Sequence, residues 1–125
     1  MLTDMDIMSI VACNTYPHQP TTIQLAVERF GQPYKTEGQA YWFHATGSIY
    51  GIPLRDMFIS VSTQPRFVGV VFSEAPQKVV DAVEAAPFLS THLSSYGQQW
   101  EGLDGRTVNW QEGKYAKMFC SASGV

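Results

Sequence analysis

The sequence predicts a single α+β domain with a mostly antiparallel sheet, and three observations predict it. Apolar residues recur with a period of about 3.6 over residues 21–31 and 76–86, they alternate with a period of about two elsewhere, and Asp-Gly and Glu-Gly pairs punctuate the last third. Helices set apart from runs of strands define the α+β class. About six strands and two or three helices fit into one unit of 125 residues with a 45% apolar composition.

Asp6 to Cys13 is short and β-branched, which predicts an opening strand, and "CNTYPHQPT" with its two prolines reads as a loop. "TTIQLAVERFG" then predicts a helix: Thr21 caps it, Gln24 follows three residues on, and Gly31 ends it. Ile23, Ala26, Val27 and Phe30 make its buried face. Strands are expected at Gln39 to Thr46, Leu54 to Ser62 and Arg66 to Ser73. In the second, Met57, Ile59 and Val61 alternate with Asp56, Ser60 and Ser62. In the third, "FVGVVF" is apolar on both faces, which predicts a central strand, with Gly69 at a bulge or close approach.

The next helix is expected to start at "SEAPQ", with Ser73 as cap and Pro76 in the first turn, and to stop before Pro87. Val79, Ala82, Val83 and Ala86 face inward, and Lys78, Asp81 and Glu84 face water. "FLSTHLSSYG" reads as a short helix or turn with Phe88, His92 and Tyr96 in register. "QQWEGL", "RTVNW" and "KYAKMFCS", joined at Asp104-Gly105 and Glu112-Gly113, predict a three-strand meander. The succession reads as a β-α-β-β-β unit written twice, an internal duplication with little sequence matching between its halves.

A net charge of −3 and eight Lys and Arg scattered singly leave no basic stripe for a phosphate backbone, so nucleic acid is not expected as a partner. No apolar run approaches the roughly eighteen residues that a membrane span requires. "IVAC" before Cys13 resembles the end of a lipoprotein signal, but Asp4 and Asp6 stand where a positive start belongs. A cytoplasmic location is therefore expected, and a start further upstream would make it periplasmic or lipid-anchored. Cys13 and Cys120 could close a long loop, but in a reducing cytosol they are expected to be two buried apolar side chains.

Catalytic spacing is scarce. His18, His44 and His92 lie far apart, "ATGSIYG" lacks the Gly-x-Ser-x-Gly spacing of a nucleophile elbow, and no close Cys or His pair announces a metal. No Gly-rich loop precedes a helix to cradle phosphate, and neither metal nor cofactor is expected. What stands out is "YWFHATGSIYGIPL". Tyr41 and Phe43 point one way and Trp42 and His44 the other, while the glycines read as turn chemistry. Three readings of the Trp42 face compete: it is covered by the protein itself, pairing across strands with Trp100, Trp110 or Tyr115; it meets a partner; or it lines a small-molecule pocket with His44, Tyr50 and Asp56 as polar groups.

The sequence thus points to a non-catalytic interaction protein, chaperone-, inhibitor- or immunity-like, with Trp42, His44, Tyr50, Trp100 and Trp110 as binding residues. The alternative is a small-molecule-binding protein, or a hydrolase or isomerase using His44 with Asp56. An exposed aromatic strand also offers a surface for a homodimer.

Overall fold

The computed structural model describes residues 2–13, 19–61, 67–85, 94–96, 99–101, 106–111 and 114–121. Among the described residues three helices accompany one antiparallel sheet, which is the α+β class. The elements are α1 (Asp4–Val11), α2 (Gln19–Phe30), β1 (Lys35–Glu37), β2 (Ala40–His44), β3 (Ser48–Ile49), β4 (Ile52–Ser60), β5 (Phe67–Phe72), α3 (Pro76–Ala85), β6 (Ser94–Tyr96), β7 (Gln99–Glu101), β8 (Arg106–Gln111) and β9 (Tyr115–Ser121). The strand order is β1-β2-β4-β5-β9-β8-β7-β6, with β3 hairpinned onto β4. The six strands expected after the opening one correspond to β2, β4, β5, β7, β8 and β9. Short β1, β3 and β6 extend the set.

The expected opening strand is a helix. Thr3 accepts a hydrogen bond from the Asp6 backbone N–H while the Asp6 carboxylate accepts one from Thr3 N–H, a capping box that starts α1. Asp4 and Asp6 lie in its first turn, where negative charge complements the helix dipole. Ile7, Ile10 and Val11 are buried at helical spacing. The succession is therefore not β-α-β-β-β: α2 leads into a meander of β1, β2, β4 and β5, and α3 into one of β6 to β9. The two meanders join where β5 pairs with β9.

Gly31, at φ +87°, ends α2, and its N–H reaches back to the Val27 carbonyl. Pro76 begins α3 as expected, but Ser73 does not cap it. The Ser73 hydroxyl donates to the carbonyl of Pro53, and the first α3 backbone bonds go to Ala75. Tyr96 belongs to strand β6 and not to a helical turn. Phe88, His92, His18, Pro87 and the Asp104-Gly105 and Glu112-Gly113 turns lie outside the described residues.

One face of the sheet carries the main core. Phe43, Met57, Ile59, Val68, Val70, Phe72 and Met118 are fully buried there against Ile7 and Val11 of α1, Ala26 of α2 and Val79 and Val83 of α3. Leu54 joins that core although it lies three residues before Met57. The β4–β5 register shifts between Leu54 and Asp56, and the bulge inserts Arg55 and restores the alternation.

The cysteines are not two free side chains. Cys13, just past α1, and Cys120 of β9 form a disulfide across a sequence separation of 107 residues. The sulfur of Cys13 is thereby engaged and is not available for a lipid thioether. Among the described residues, no helix is long and apolar enough to cross a membrane.

A polar clamp fixes the helices to the strand loops. Arg29 at the end of α2 donates to the Asp4 carboxylate, to the Leu2 carbonyl at 3.0 Å and to the Thr46 carbonyl at 3.0 Å. The other Asp4 oxygen accepts from Ser48 N–H at 3.2 Å. The Arg29 hydrogen bond, then the Ser48 N–H, hold the Asp4 carboxyl below its ordinary value of 3.8. A carboxyl with a depressed folded-state pKa stabilises fully above the ordinary value, and that stability is lost as pH falls through the lower one. Acid unfolding below about pH 4 should therefore be blunted in Asp4→Asn. At neutral pH the same variant should lose about 1 kcal/mol, a modest figure because the pair is partly exposed. Urea titrations at pH 7 and pH 3 check both arms.

Candidate functional site

The second face of the sheet carries a separate apolar cluster to which no described helical residue belongs: Ala40, Trp42, Phe58 and Val71, with Phe67, Tyr115 and Phe119 packed against it. Its centre is a row across four strands. Trp42 of β2 is opposite Phe58 of β4, Phe58 is opposite Gly69 of β5, and Gly69 is opposite Phe119 of β9. The Trp42 and Phe58 rings stack at 4.8 Å, and Phe58 meets Phe119 and Phe67 at 6.3 and 6.1 Å. The Trp42 indole N–H donates to the Glu37 carbonyl at 2.9 Å, so its polar edge is satisfied.

Gly69 is what lets the row close. A Cβ there would lie 2.6 Å from the Phe119 Cβ and 2.7 Å from the Met118 carbonyl oxygen, and would strike the Phe58 ring. The Phe58 ring thus covers the glycine, a device that keeps a strand glycine from weakening a sheet. Gly69→Ala is expected to destabilise by about 1–3 kcal/mol, the range for overpacking. An unchanged melting temperature would show that the row has slack.

The face has a cationic rim. Lys117, half-buried in β9, holds its ammonium 6.0 Å from the Phe58 ring and 5.7 Å from Phe119. Burial lowers its pKa from the ordinary lysine value. Arg55 sits 4.2 Å over Tyr115, with Lys114 at 5.2 Å from the same ring. At the other end Lys35 lies 4.9 Å over Trp42 and is ion-paired with Glu37 at 3.1 Å. Between these ends opens a pocket of about 290 Å³ lined by Gly38, Ala40, Trp42, Phe58, Phe67, Lys117 and Phe119.

The expected binding residues separate. Trp42 and His44 do share the helix-free face, opposite Tyr41 and Phe43. His44 pairs in register with Asp56, their closest atoms Nδ1 and Oδ1 being 3.6 Å apart, and its ring stacks on Tyr34 at 3.8 Å and 3°. That brings the alternative's histidine and carboxylate together, with the His44 side chain 76% exposed. Tyr50 goes elsewhere. It occupies the β3–β4 turn with Gly51, both at positive φ, and packs against the helix-side core. Trp100 and Trp110 are register partners of Val108 and Ala116, in strands separated from β2 by β4, β5 and β9.

Phe58, Phe119 and Lys117 were missed by sequence reasoning. Their signal was present: Tyr115, Lys117 and Phe119 alternate along β9, and Phe58 stands between Asp56 and Ser60 on the face read as polar. Among the described residues, no group of three or more His, Cys, Asp or Glu could hold a metal ion. The fold and site define an α+β protein whose second sheet face carries an aromatic cluster with a cationic rim and, among the described residues, no helix. Comparison with protein-family models, curated proteins and solved structures finds no match for the chain.

Proposed function

We propose that the protein is a non-catalytic binding protein that receives a protein partner on the aromatic sheet face, in the manner of a small chaperone, inhibitor or neutralising partner. The observation that supports this reading is the row Trp42, Phe58 and Phe119 on the face no described helix packs against, with a pocket beside it. Trp, Tyr and Arg side chains, here Trp42, Tyr115 and Arg55, are enriched at the energetic centres of protein interfaces. The disulfide favours an oxidising compartment over the cytosol as the place of action.

A photo-crosslinking amino acid placed at Phe67, on the pocket rim, is expected to give a protein adduct in the native host, and the same group at Glu84 on the outer side of α3 is not. Equal labelling at both positions, or none at Phe67, sinks the reading. An adduct of twice the chain mass redirects it to self-association. The His44–Asp56 pair supports a second reading as a small enzyme. That reading requires turnover on a substrate panel, lost in His44→Ala with the fold intact.

A further inference from the structure

The chain carries eight Lys and Arg against eleven Asp and Glu, yet four of the eight lie over aromatic rings on or beside the helix-free face: Lys35, Arg55, Lys114 and Lys117. The described carboxylates among them have other partners. Glu37 holds Lys35 and Asp56 faces His44. Among the described residues, Arg55, Lys114 and Lys117 have no carboxylate within ion-pair distance. An acidic protein has thus gathered unneutralised positive charge around its aromatic cluster.

Resting on the binding reading above, we propose that the partner presents an acidic segment in which an apolar side chain is flanked by Asp or Glu. The apolar side chain enters the pocket between Trp42, Phe67 and Phe119, and the neighbouring carboxylates reach Lys117 and Arg55. Two features select this partner. Lys117 is half-buried beside the Phe58 and Phe119 rings, so a carboxylate arriving there meets a charge less screened by water than one on an exposed side chain. Arg55 and Lys114 share the Tyr115 ring while Lys117 lies by Phe58 and Phe119. Cations in two places along the face suit several carboxylates on one chain better than a single head group. Complementary charge of this kind also speeds encounter and rejects basic partners.

The test is selection of peptides from a random phage-displayed library against the disulfide-bonded protein. Binding is mapped by the NMR signal of the Trp42 indole N–H. Selected peptides should be rich in Asp and Glu beside Phe, Leu, Met or Trp, and should shift that signal. Their affinity for the parent protein should fall as salt is raised, and at fixed low salt it should fall about tenfold or more in Lys117→Glu and in Arg55→Glu. Circular dichroism establishes that both variants are folded, and Lys117→Arg should retain binding. Peptides that shift the Trp42 signal but are neutral or basic, or that are indifferent to both charge reversals, overturn this inference and leave the binding reading standing. Peptides that never perturb the Trp42 signal, or no peptides at all, overturn both. Oligo-dT binding to the face with the same charge dependence, in place of acidic peptides, overturns it in favour of single-stranded nucleic acid.

Discussion

Replacing Cys13 and Cys120 by serine is expected to lower stability by about 4–5 kcal/mol in the chain-entropy model, since the bond closes a loop of 107 residues. Small domains hold only about 5–15 kcal/mol in total, so the loss would remove a large share of the margin. The bond ties the end of α1 to β9, and α1 supplies Ile7 and Val11 to the main core. Urea unfolding with and without a phosphine reductant checks this, the double serine variant serving as the control that reductant should not affect. A midpoint shift of less than about 1 kcal/mol would mean that the unfolded chain is already compact near its termini.

Trp42→Ala is expected to destabilise by about 3–5 kcal/mol, as a large aromatic truncation in a packed site does. Although Trp42 lies on the face that no described helix packs against, it is only 9% exposed and stacks on Phe58, itself 3% exposed. A loss of binding in that variant would therefore report unfolding as readily as recognition. Phe67, only half-buried, is the better probe, because its removal should cost much less while still emptying the pocket wall. Thermal melts of the two single variants decide the point. A Trp42→Ala protein as stable as the parent would mean that the ring is held for a partner and not for the fold.

The α+β class, the helix ending at Gly31, the helix starting at Pro76, central β5 and the β7–β9 meander were all legible in the chain. In each, period and punctuation agree with the tertiary environment. Residues 6–13 misled because Ile7, Ile10 and Val11 are β-branched, while the helix is set by Thr3 and Asp6 at its start and by burial against the sheet. Local propensity lost to capping and packing. The division of Tyr41 and Phe43 from Trp42 and His44 was legible because a strand alternates by geometry alone. The neighbours of Trp42 were not: Phe58, Gly69 and Phe119 are brought beside it by register between strands far apart in the chain. For the same reason Trp100 and Trp110, alike in composition, are paired elsewhere.

The pairing of β5 with β9 also governs how the protein comes to be folded. The two strands at the centre of the sheet are about fifty residues apart in the chain, so their seam cannot nucleate locally. Each meander can form hairpins early, but neither buries its inner edge until β9 is in place. Closure of that long-range seam is expected to come late in folding, and until it forms the edge of β5 is open to mispairing. A disulfide whose second cysteine lies in β9 holds that strand in place once closure has occurred, and so slows reopening of the seam.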